Sequence, residues 1–312
     1  MRMSTCQREI RETEPAVVIA GASGRSIAQI AVRGGLSCHV FDRFGDRDTR
    51  RICRDQPGTR VTVCEDYDAM IQGIGDLGRA TLVPVGGLES RYDLLCQLPP
   101  DVRLAGSPVE TLRNLTDARR LNRVLLSLGC EPFEQPADAV RRTEVRDWMV
   151  KRLSSCGGSS VRRLAAAEIA TTHFERDKVL QRAFAGPSMS ALFIAAWRAG
   201  GCQTQRIGAT RQLIGVAEWG AAEFTWSGCL SEPDLSPGLA SSIDAIAGGI
   251  ADSLGIVGGF GIDFINEGNV CRLVDINARL PASSEIIQRA FLPDENLLWH
   301  HLAACAGEVG PV

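Results

Sequence analysis

Apolar positions change their period along this chain, and the changes divide it. From residue 16, "AVVIAGASGRSIAQIAVRGGLSCHVFDRF" gives a continuous apolar run, a Gly/Ser turn, a helical-period stretch ending near Gly34 and Gly35, and a second apolar run ending at Asp42. That is strand, helix, strand, the unit from which parallel sheets are built. "RVTVCEDYDAMIQGIG" and "ATLVPVGGLESRYDLLCQL" repeat the order, so residues 16–113 are predicted to form a small doubly wound parallel sheet. Its ligand crevice belongs at the strand C-termini, near Gly21, Arg25 and Asp42.

"SPVETLRNLTDARRLNRVLLSLGCEPFEQP" reads as a helical linker, with Thr116 capping a helix that runs to Leu128, Gly129 just past its end, and Pro132 and Pro136 stopping it. From Asp147 the runs shorten to "DWMVKRL", "KVLQRAF", "SALFIAAW" and "RQLIGVAEW" with glycines between them, the texture of antiparallel sheet. "SPGLASSIDAIAGGIADSLG" returns to helical period, with Ser236 as N-cap and Pro237 at the first turn. A last helical stretch covers residues 283–305. The expected fold class is therefore α/β followed by α+β, in units 1–113, 114–146, 147–197 and 198–312.

Between the last two helical stretches lies "GGFGIDFINEGNVCRLVDINARL", two strands and a turn. Phe260, Ile262, Phe264, Val270, Val274 and Ile276 occupy even positions, while Asp263, Asp275 and Asn277 share the odd face. Side chains alternate along a strand, so a register that gathers the apolar set on one face gathers the three oxygen donors on the other. A loop centred on Asn269, or a bulge, sets Asp263 opposite Asp275 at about 5 Å between Cβ atoms; a loop centred on Glu267 puts them out of step. Two carboxylates and an amide oxygen suit Mg²⁺. The plain alternative is the solvated face of an edge hairpin.

Composition narrows the partners. The 34 basic and 37 acidic residues nearly cancel, at net charge -3, and form no block, which turns attention from nucleic acid and charged membranes to small molecules. Eleven cysteines without a C-x-x-C, and no apolar leader before Pro15, point to a reducing, cytoplasmic setting. No run approaches the roughly 20 apolar residues of a membrane helix. Only Lys151 and Lys178 are lysine, so each is worth examining as a compact point charge.

Lys151 ends an apolar run and precedes "RLSSCGGSS", where Gly157, Gly158 and Ser159 would let backbone amides approach phosphate oxygens. The pattern is neither a Walker A nor G-x-G-x-x-G, and a flexible hairpin loop is its bland reading. In "KVLQRAFAGPSMSALFIA", backbone groups from Gln181 to Phe184 could read an adenine edge, or the segment is a simple hairpin. The histidines at 39, 173, 300 and 301 share no zinc spacing, and His300 with His301 reads as an ordinary helix-terminal pair. Cys156 is the one thiol inside the glycine loop.

Order and spacing together resemble the ATP-grasp superfamily across nearly the whole chain. The resemblance rests on a small N-terminal βαβ domain, the strand-borne lysine with its glycine loop, the "LQ.F..G...S" hairpin, and "GIDF" followed by "VDINAR". It implies a pre-ATP-grasp domain, a small lid and a large subdomain that clasp ATP and Mg²⁺ or Mn²⁺. The implied reaction phosphorylates a carboxylate and lets an amine displace the phosphate. Carried over, it assigns Asp263, Asp275 and Asn277 to the metal, Lys151 to phosphates and catalysis, and Gly157, Gly158 and Ser159 to the covering loop. Gln181 and Phe184 fall at the base, and Arg279 at the transferred phosphoryl or substrate carboxylate. Asp275 stands where that family usually has glutamate, Arg152 where proline is common, and no second lysine precedes residue 130 unless Arg119 or Arg120 serves.

"GASGRSIAQIAVRGG" followed by "DRFGDRD" is also similar to a subgroup associated with tetrahydromethanopterin- and methanofuran-linked one-carbon metabolism, which implies a glutamate ligase acting on a coenzyme precursor. Arg25 and Asp42 are then candidates for the second substrate. The partners expected are small-molecule acid and amine substrates, with a homodimer allowed. Two rival readings stay open. One is a relative that binds nucleotide without turnover. The other is an NAD(P)-dependent oxidoreductase, in which Asp42 would hold a ribose hydroxyl about 20 residues after "GASG".

Overall fold

The computed structural model describes residues 16–142, 147–169, 174, 178–232, 234–292 and 295–307; His173 lies outside them. Five parallel strands, β1 (Ala16–Gly21), β2 (Cys38–Asp42), β3 (Arg60–Val63), β4 (Ala80–Pro84) and β5 (Val102–Leu104), stand in the order β3-β2-β1-β4-β5. The chain winds outward from β1 to β3, then returns to β4 on the other side of β1. The switch point therefore falls between β1 and β4, where the Ala22 amide donates to the Gly86 carbonyl at 2.8 Å. Helices α1 (Arg25–Arg33), α2 (Arg47–Asp55) and α3 (Tyr67–Gly75) cover the sheet. α1 buries Ile27, Ala28, Ile30 and Ala31, one helical face, and Gly35 with φ 69° follows its end.

Helices α4 (Val109–Thr116) and α5 (Ala118–Ser127) lead out of this sheet. Thr116 is not the cap: its hydroxyl donates back to the Arg113 carbonyl, and Asp117 caps α5 by accepting from the Arg119 and Arg120 amides at 2.9 and 3.2 Å. The chain bends at Asp117, whose extended backbone suits the N-cap, so the predicted helix starts one residue later than expected and a separate helix, α4, precedes it. Gly129, with φ 70°, does lie past the end of α5.

Two antiparallel sheets follow. The smaller has β6 (Asp147–Arg152), β7 (Arg162–Ala165) and β8 (Lys178–Arg182) in the order β7-β6-β8, with Trp148, Val150, Leu164 and Leu180 buried on one side. The larger has β9 (Ser188–Arg198), β10 (Gly201–Ile214), β11 (Trp226–Ser231), β12 (Gly258–Glu267) and β13 (Val270–Asn277) in the order β11-β10-β9-β12-β13. β9 was expected in the unit ending at residue 197, but it is the central strand of this larger sheet. Its residues 191–197 are apolar without a break: Ala191, Phe193 and Ala195 enter one core, Leu192, Ile194 and Ala196 the other. Such a strand needs cover on both faces, which a small lid sheet cannot give.

Helix α6 (Pro237–Leu254) packs on the first of those faces, starting at Pro237 as predicted. Ser236 does not cap it with its side chain; its hydroxyl meets Asn269 Oδ1 at 3.1 Å. The final helical stretch is two helices, α7 (Ser284–Gln288) and α8 (Leu297–Ala306), because Asn296 starts the second by accepting from the Leu298 and Trp299 amides. The same Asn296 donates to the Ile30 carbonyl at 2.8 Å and so ties α8 to α1. Among the described residues no helix is long and apolar enough to cross a membrane.

His301 is not an ordinary terminal residue. It is buried in α8, where Nδ1 accepts from the Gly259 amide at 2.8 Å and Nε2 donates to the Ala105 carbonyl at 3.1 Å. The ring thereby joins the end of the parallel sheet to the start of β12. Burial lowers its pKa from 6.5 to about 4, against a smaller raising effect from Ala105, so the folded protein holds it neutral. Protonating Nδ1 would break the bond to Gly259. An unfolded chain takes up that proton near the ordinary histidine value, so this contribution is complete above pH ~6.5 and is lost as pH falls toward about 4, up to about 3 kcal/mol. Urea unfolding at about pH 7 and about pH 4.5 should show wild type losing more stability on acidification than His301→Gln, which cannot titrate. Equal losses in the two proteins would contradict the assignment.

Candidate functional site

The hairpin of β12 and β13 turns at Gly268 and Asn269, both in the left-handed region with φ 60° and 68°, which closes Glu267 onto Val270. The first pairs from this turn, Ile265 with Arg272 and Phe264 with Leu273, would place Asp263 opposite Val274. A bulge intervenes. Val274 is passed over, Asp263 faces Asp275, Ile262 faces Ile276 and Gly261 faces Asn277. The carboxylates thus meet as the metal reading requires, through the bulge and not through a loop centred on Asn269. The bulge also corrects the predicted apolar face, since Cys271 and Leu273 enter the core with Ile262 and Phe264, while Val270 is 46% exposed.

Around the two carboxylates a polar chain is built. Asn277 Nδ2 donates to Asp263 Oδ2 at 3.0 Å, Arg279 Nη2 donates to Asn277 Oδ1 at 2.8 Å, and Arg279 Nε donates to Glu89 Oε1 at 3.0 Å. The Arg279–Glu89 pair is nearly enclosed, with side chains 10% and 11% exposed. Burial, and next the charge of Asp275, push the Asp263 carboxyl up to about 6, against the pull of Ser190, Arg279 and Asn277. Two hard carboxylates that repel at short range fit a divalent cation such as Mg²⁺ or Mn²⁺, which relieves the repulsion. Asn277 donates its amide to Asp263 here, so it would contribute oxygen only after turning its amide over.

The bulge has a second effect, because it leaves the carbonyls near Val274 out of the regular ladder. Lys151, at the end of β6, donates its ammonium to the Val274 carbonyl, and Gln181 of β8 donates to the Leu273 carbonyl at 2.7 Å. Both side chains are buried. The Lys151 ammonium also lies 4.5 Å from the centre of the Phe133 ring. Burial lowers its pKa, and Asp275 and Asp263 oppose that effect, which shows the lysine acting as their internal counter-charge. The small sheet is therefore folded down on β13.

The glycine loop is held in the same way. Gly157 and Gly158 have φ of 65° and 77°, the Gly157 carbonyl accepts from the Trp226 amide at 3.2 Å, and a Cβ on Gly158 would overlap the Phe224 carbonyl oxygen. Ser159 donates to the Cys156 carbonyl at 3.1 Å and is exposed, at the loop's outer edge. Phe184 stands apart, its ring centre 4.5 and 5.8 Å from the guanidinium groups of Arg182 and Arg272. It lines a cavity of about 250 Å³ with Leu128, Glu131, Ile246 and Leu273.

Two predicted substrate residues have other duties. Asp42 is wholly buried; its Oδ2 accepts from the Gly24 amide at 2.8 Å, and its Oδ1 from the Phe44 and Gly45 amides at 2.8 and 2.7 Å. A carboxylate so enclosed orders the loops after β1 and β2 and has no surface for a substrate or a ribose hydroxyl, which removes the basis of the oxidoreductase reading. Arg25 Nη1 pairs with Glu285 Oε2 at 2.7 Å and joins α1 to α7. Sequence reasoning missed Glu89, although the switch-point rule already directs attention to its loop after β4.

The family model for the ATP-grasp domain matches residues 125–283, just over half of the chain, including the whole of the hairpin, lysine strand and glycine loop. Among solved structures, biotin carboxylase from Campylobacter jejuni, in a β-γ-ATP complex, superposes with a TM-score of 0.70 at 13% identity, covering 96% of this chain and 72% of that one. The biotin carboxylase domain of Hydrogenobacter thermophilus 2-oxoglutarate carboxylase, with MgADP and bicarbonate, gives 0.68 at 13% identity, covering 95% and 71%. N5-carboxyaminoimidazole synthetase from Staphylococcus aureus gives 0.64 at 15% identity, covering 96% and 80%. These likenesses are likenesses of fold. No curated protein matches the sequence.

Because Gly158 needs both its positive φ and the space a Cβ would take, Gly158→Ala should detach the loop from residues 224–226. The strain alone costs on the order of 1 kcal/mol or more. Hydrogen exchange at the Trp226 amide, protected by the Gly157 carbonyl, should then accelerate while amides of β12 keep their protection. Unchanged protection at Trp226 would show that the loop is held by other contacts.

Proposed function

The chain belongs to the ATP-grasp family, and on that premise we propose that it is an ATP-dependent ligase that activates a carboxylate as an acyl phosphate and couples it to an amine. The observation that carries this reading is the facing pair Asp263 and Asp275, with Lys151 reaching it from β6 and Arg279 from just past the end of β13. When bound, ATP would supply the phosphoryl group and Mg²⁺ or Mn²⁺ the charge that screens its oxygens.

The residues divide that work. Asp263 and Asp275 hold the metal, with Asn277 beside them as the third donor. Lys151 exchanges the Val274 carbonyl for phosphate oxygens, and Gly157, Gly158 and Ser159 present loop amides above them. Gln181 and Phe184 border the base at the end of β8. Arg279, aligned by Glu89 and Asn277, faces the transferred phosphoryl or the substrate carboxylate, where a fixed guanidinium stabilises developing charge without reorganising. That two nucleotide-bound biotin carboxylases share the fold supports a nucleotide between the two antiparallel sheets. The finer reading, glutamate or a related amino acid joined to a coenzyme precursor of one-carbon metabolism, rests on the N-terminal segments "GASGRSIAQIAVRGG" and "DRFGDRD".

ADP release measured against amino acids paired with acidic coenzymes tests the proposal. Asp275→Ala should lower turnover by on the order of a hundredfold or more with the circular dichroism spectrum unchanged, because it removes a half-buried polar side chain and no apolar core contact. Lys151→Ala should weaken ATP binding about tenfold or more. Turnover at the wild-type rate in the first variant, or unchanged ATP affinity in the second, would refute the respective role.

A further inference from the structure

Beside Arg279 and its partner Glu89, at the switch point of the parallel sheet, lie Tyr67, Arg43 and Arg91, side chains that no role above uses. Tyr67, the first residue of α3, places its ring 5.3 Å from the Arg43 guanidinium and 5.9 Å from that of Arg91. Its hydroxyl sits against Gly87, whose φ of 95° and lack of a side chain make room for it. Arg43 follows β2 and is pinned by its own amide to the carbonyls of Gly21 and Ala22. Glu89 follows β4, and Gly86 of the same loop lies against the Arg279 guanidinium. Burial raises the Tyr67 phenol, and the charges of Cys156 and Glu89 add to that while Arg43 and Arg91 oppose it. Tyr67 thus stands among groups that follow β2 and β4, at the strand C-termini where a doubly wound sheet forms its ligand crevice.

Two buried atoms here lack hydrogen-bond partners among the described residues: Arg43 Nε and Glu89 Oε2. Arg91 differs, being spent on Asp93 through bonds of 3.0 and 2.9 Å. A buried donor and a buried acceptor left unpaired cost free energy unless a ligand or water completes them. Their signs are opposite, and their placement is ordered. Glu89 is paired with Arg279, which follows the metal hairpin, while Arg43 lies against the Tyr67 ring.

We propose that this crevice binds the amine substrate and that this substrate is an amino acid, its amine received by Glu89 and its carboxylate by Arg43 over the Tyr67 ring. The assignment rests on the ligase reading and deepens it. An amine held by Glu89 lies beside Arg279, which faces the carboxylate to be activated, so the nucleophile is positioned next to its target. A guanidinium stacked on an aromatic face keeps its in-plane donors free for a carboxylate.

The test is calorimetric titration of the protein, first with MgADP and then, nucleotide-loaded, with each of the twenty amino acids. For an amino acid that binds, its α-carboxamide and its decarboxylated amine are titrated as well, with inorganic phosphate as the control for a generic anion. Wild type should lose about tenfold or more in affinity on changing the carboxylate to the carboxamide. Arg43→Gln should lose a similar factor for the amino acid and should no longer distinguish it from the carboxamide. MgADP affinity reports whether that variant is folded, and the carboxamide comparison in wild type needs no variant. MgADP binding with no amino acid binding, or equal affinity for acid and carboxamide, overturns this inference and leaves the ligase reading standing. Phosphate binding that displaces the amino acid's share entirely overturns it in the same way. Absence of MgADP binding removes the ligase reading and this inference together.

Discussion

Two carboxylates facing each other across a half-buried hairpin repel, and the surrounding structure is arranged to keep them there. Without the bulge at Val274 the turn at Gly268 and Asn269 would set Asp263 opposite a valine, and the polar set would be divided between the two faces of the sheet. The bulge restores the facing pair and at the same time frees backbone carbonyls for Lys151 and Gln181. One irregular residue thus determines both where negative charge accumulates and where the opposing lysine lands.

From that point the three sheets become one site. The small sheet contributes Lys151 and Gln181, the large sheet contributes the hairpin, and the parallel sheet contributes Glu89 through its switch-point loop. Arg279 links the last two, because Glu89 and Asn277 hold the same guanidinium. Burying an ion pair is a poor way to gain stability, since desolvation offsets most of the attraction. Its nearly complete enclosure is better explained by orientation, a fixed guanidinium at the junction of two clefts. His301 makes a second junction behind it, between Ala105 and Gly259, and keeps the parallel sheet in register with β12.

Much of this was legible in the residues, for reasons that also explain what was not. Apolar runs announced most strands, though not the short β5, the largely polar β7 or β11, and the scarcity of lysine singled out Lys151. "GIDF" with "VDINAR" pointed to Asp263, Asp275 and Asn277, because three oxygen-bearing side chains at odd positions are conspicuous in an apolar hairpin. The bulge was not legible: Val274 is an ordinary β-branched strand residue, and only the tertiary pairing reveals that it is passed over. Asp42 was misread because its acidity and spacing suit a ribose hydroxyl, whereas its oxygens are consumed by amides of Gly24, Phe44 and Gly45. The central position of β9 was hidden by its place in the chain, although its unbroken apolar run already called for cover on both faces. Glu89 carries no motif at all and becomes visible only when the β4 loop is set against Arg279.

The claim on which the rest depends is that Asp263 and Asp275 form the floor of a divalent cation site that works with nucleotide. Mn²⁺ titration followed by electron paramagnetic resonance measures it directly, since the free ion's signal falls as it is bound. With ATP present, wild type should sequester Mn²⁺ well beyond what ATP alone removes, and a double variant, Asp263→Asn with Asp275→Asn, should fall back to the level of ATP alone. Wild type that removes no more Mn²⁺ than ATP does by itself would contradict the account.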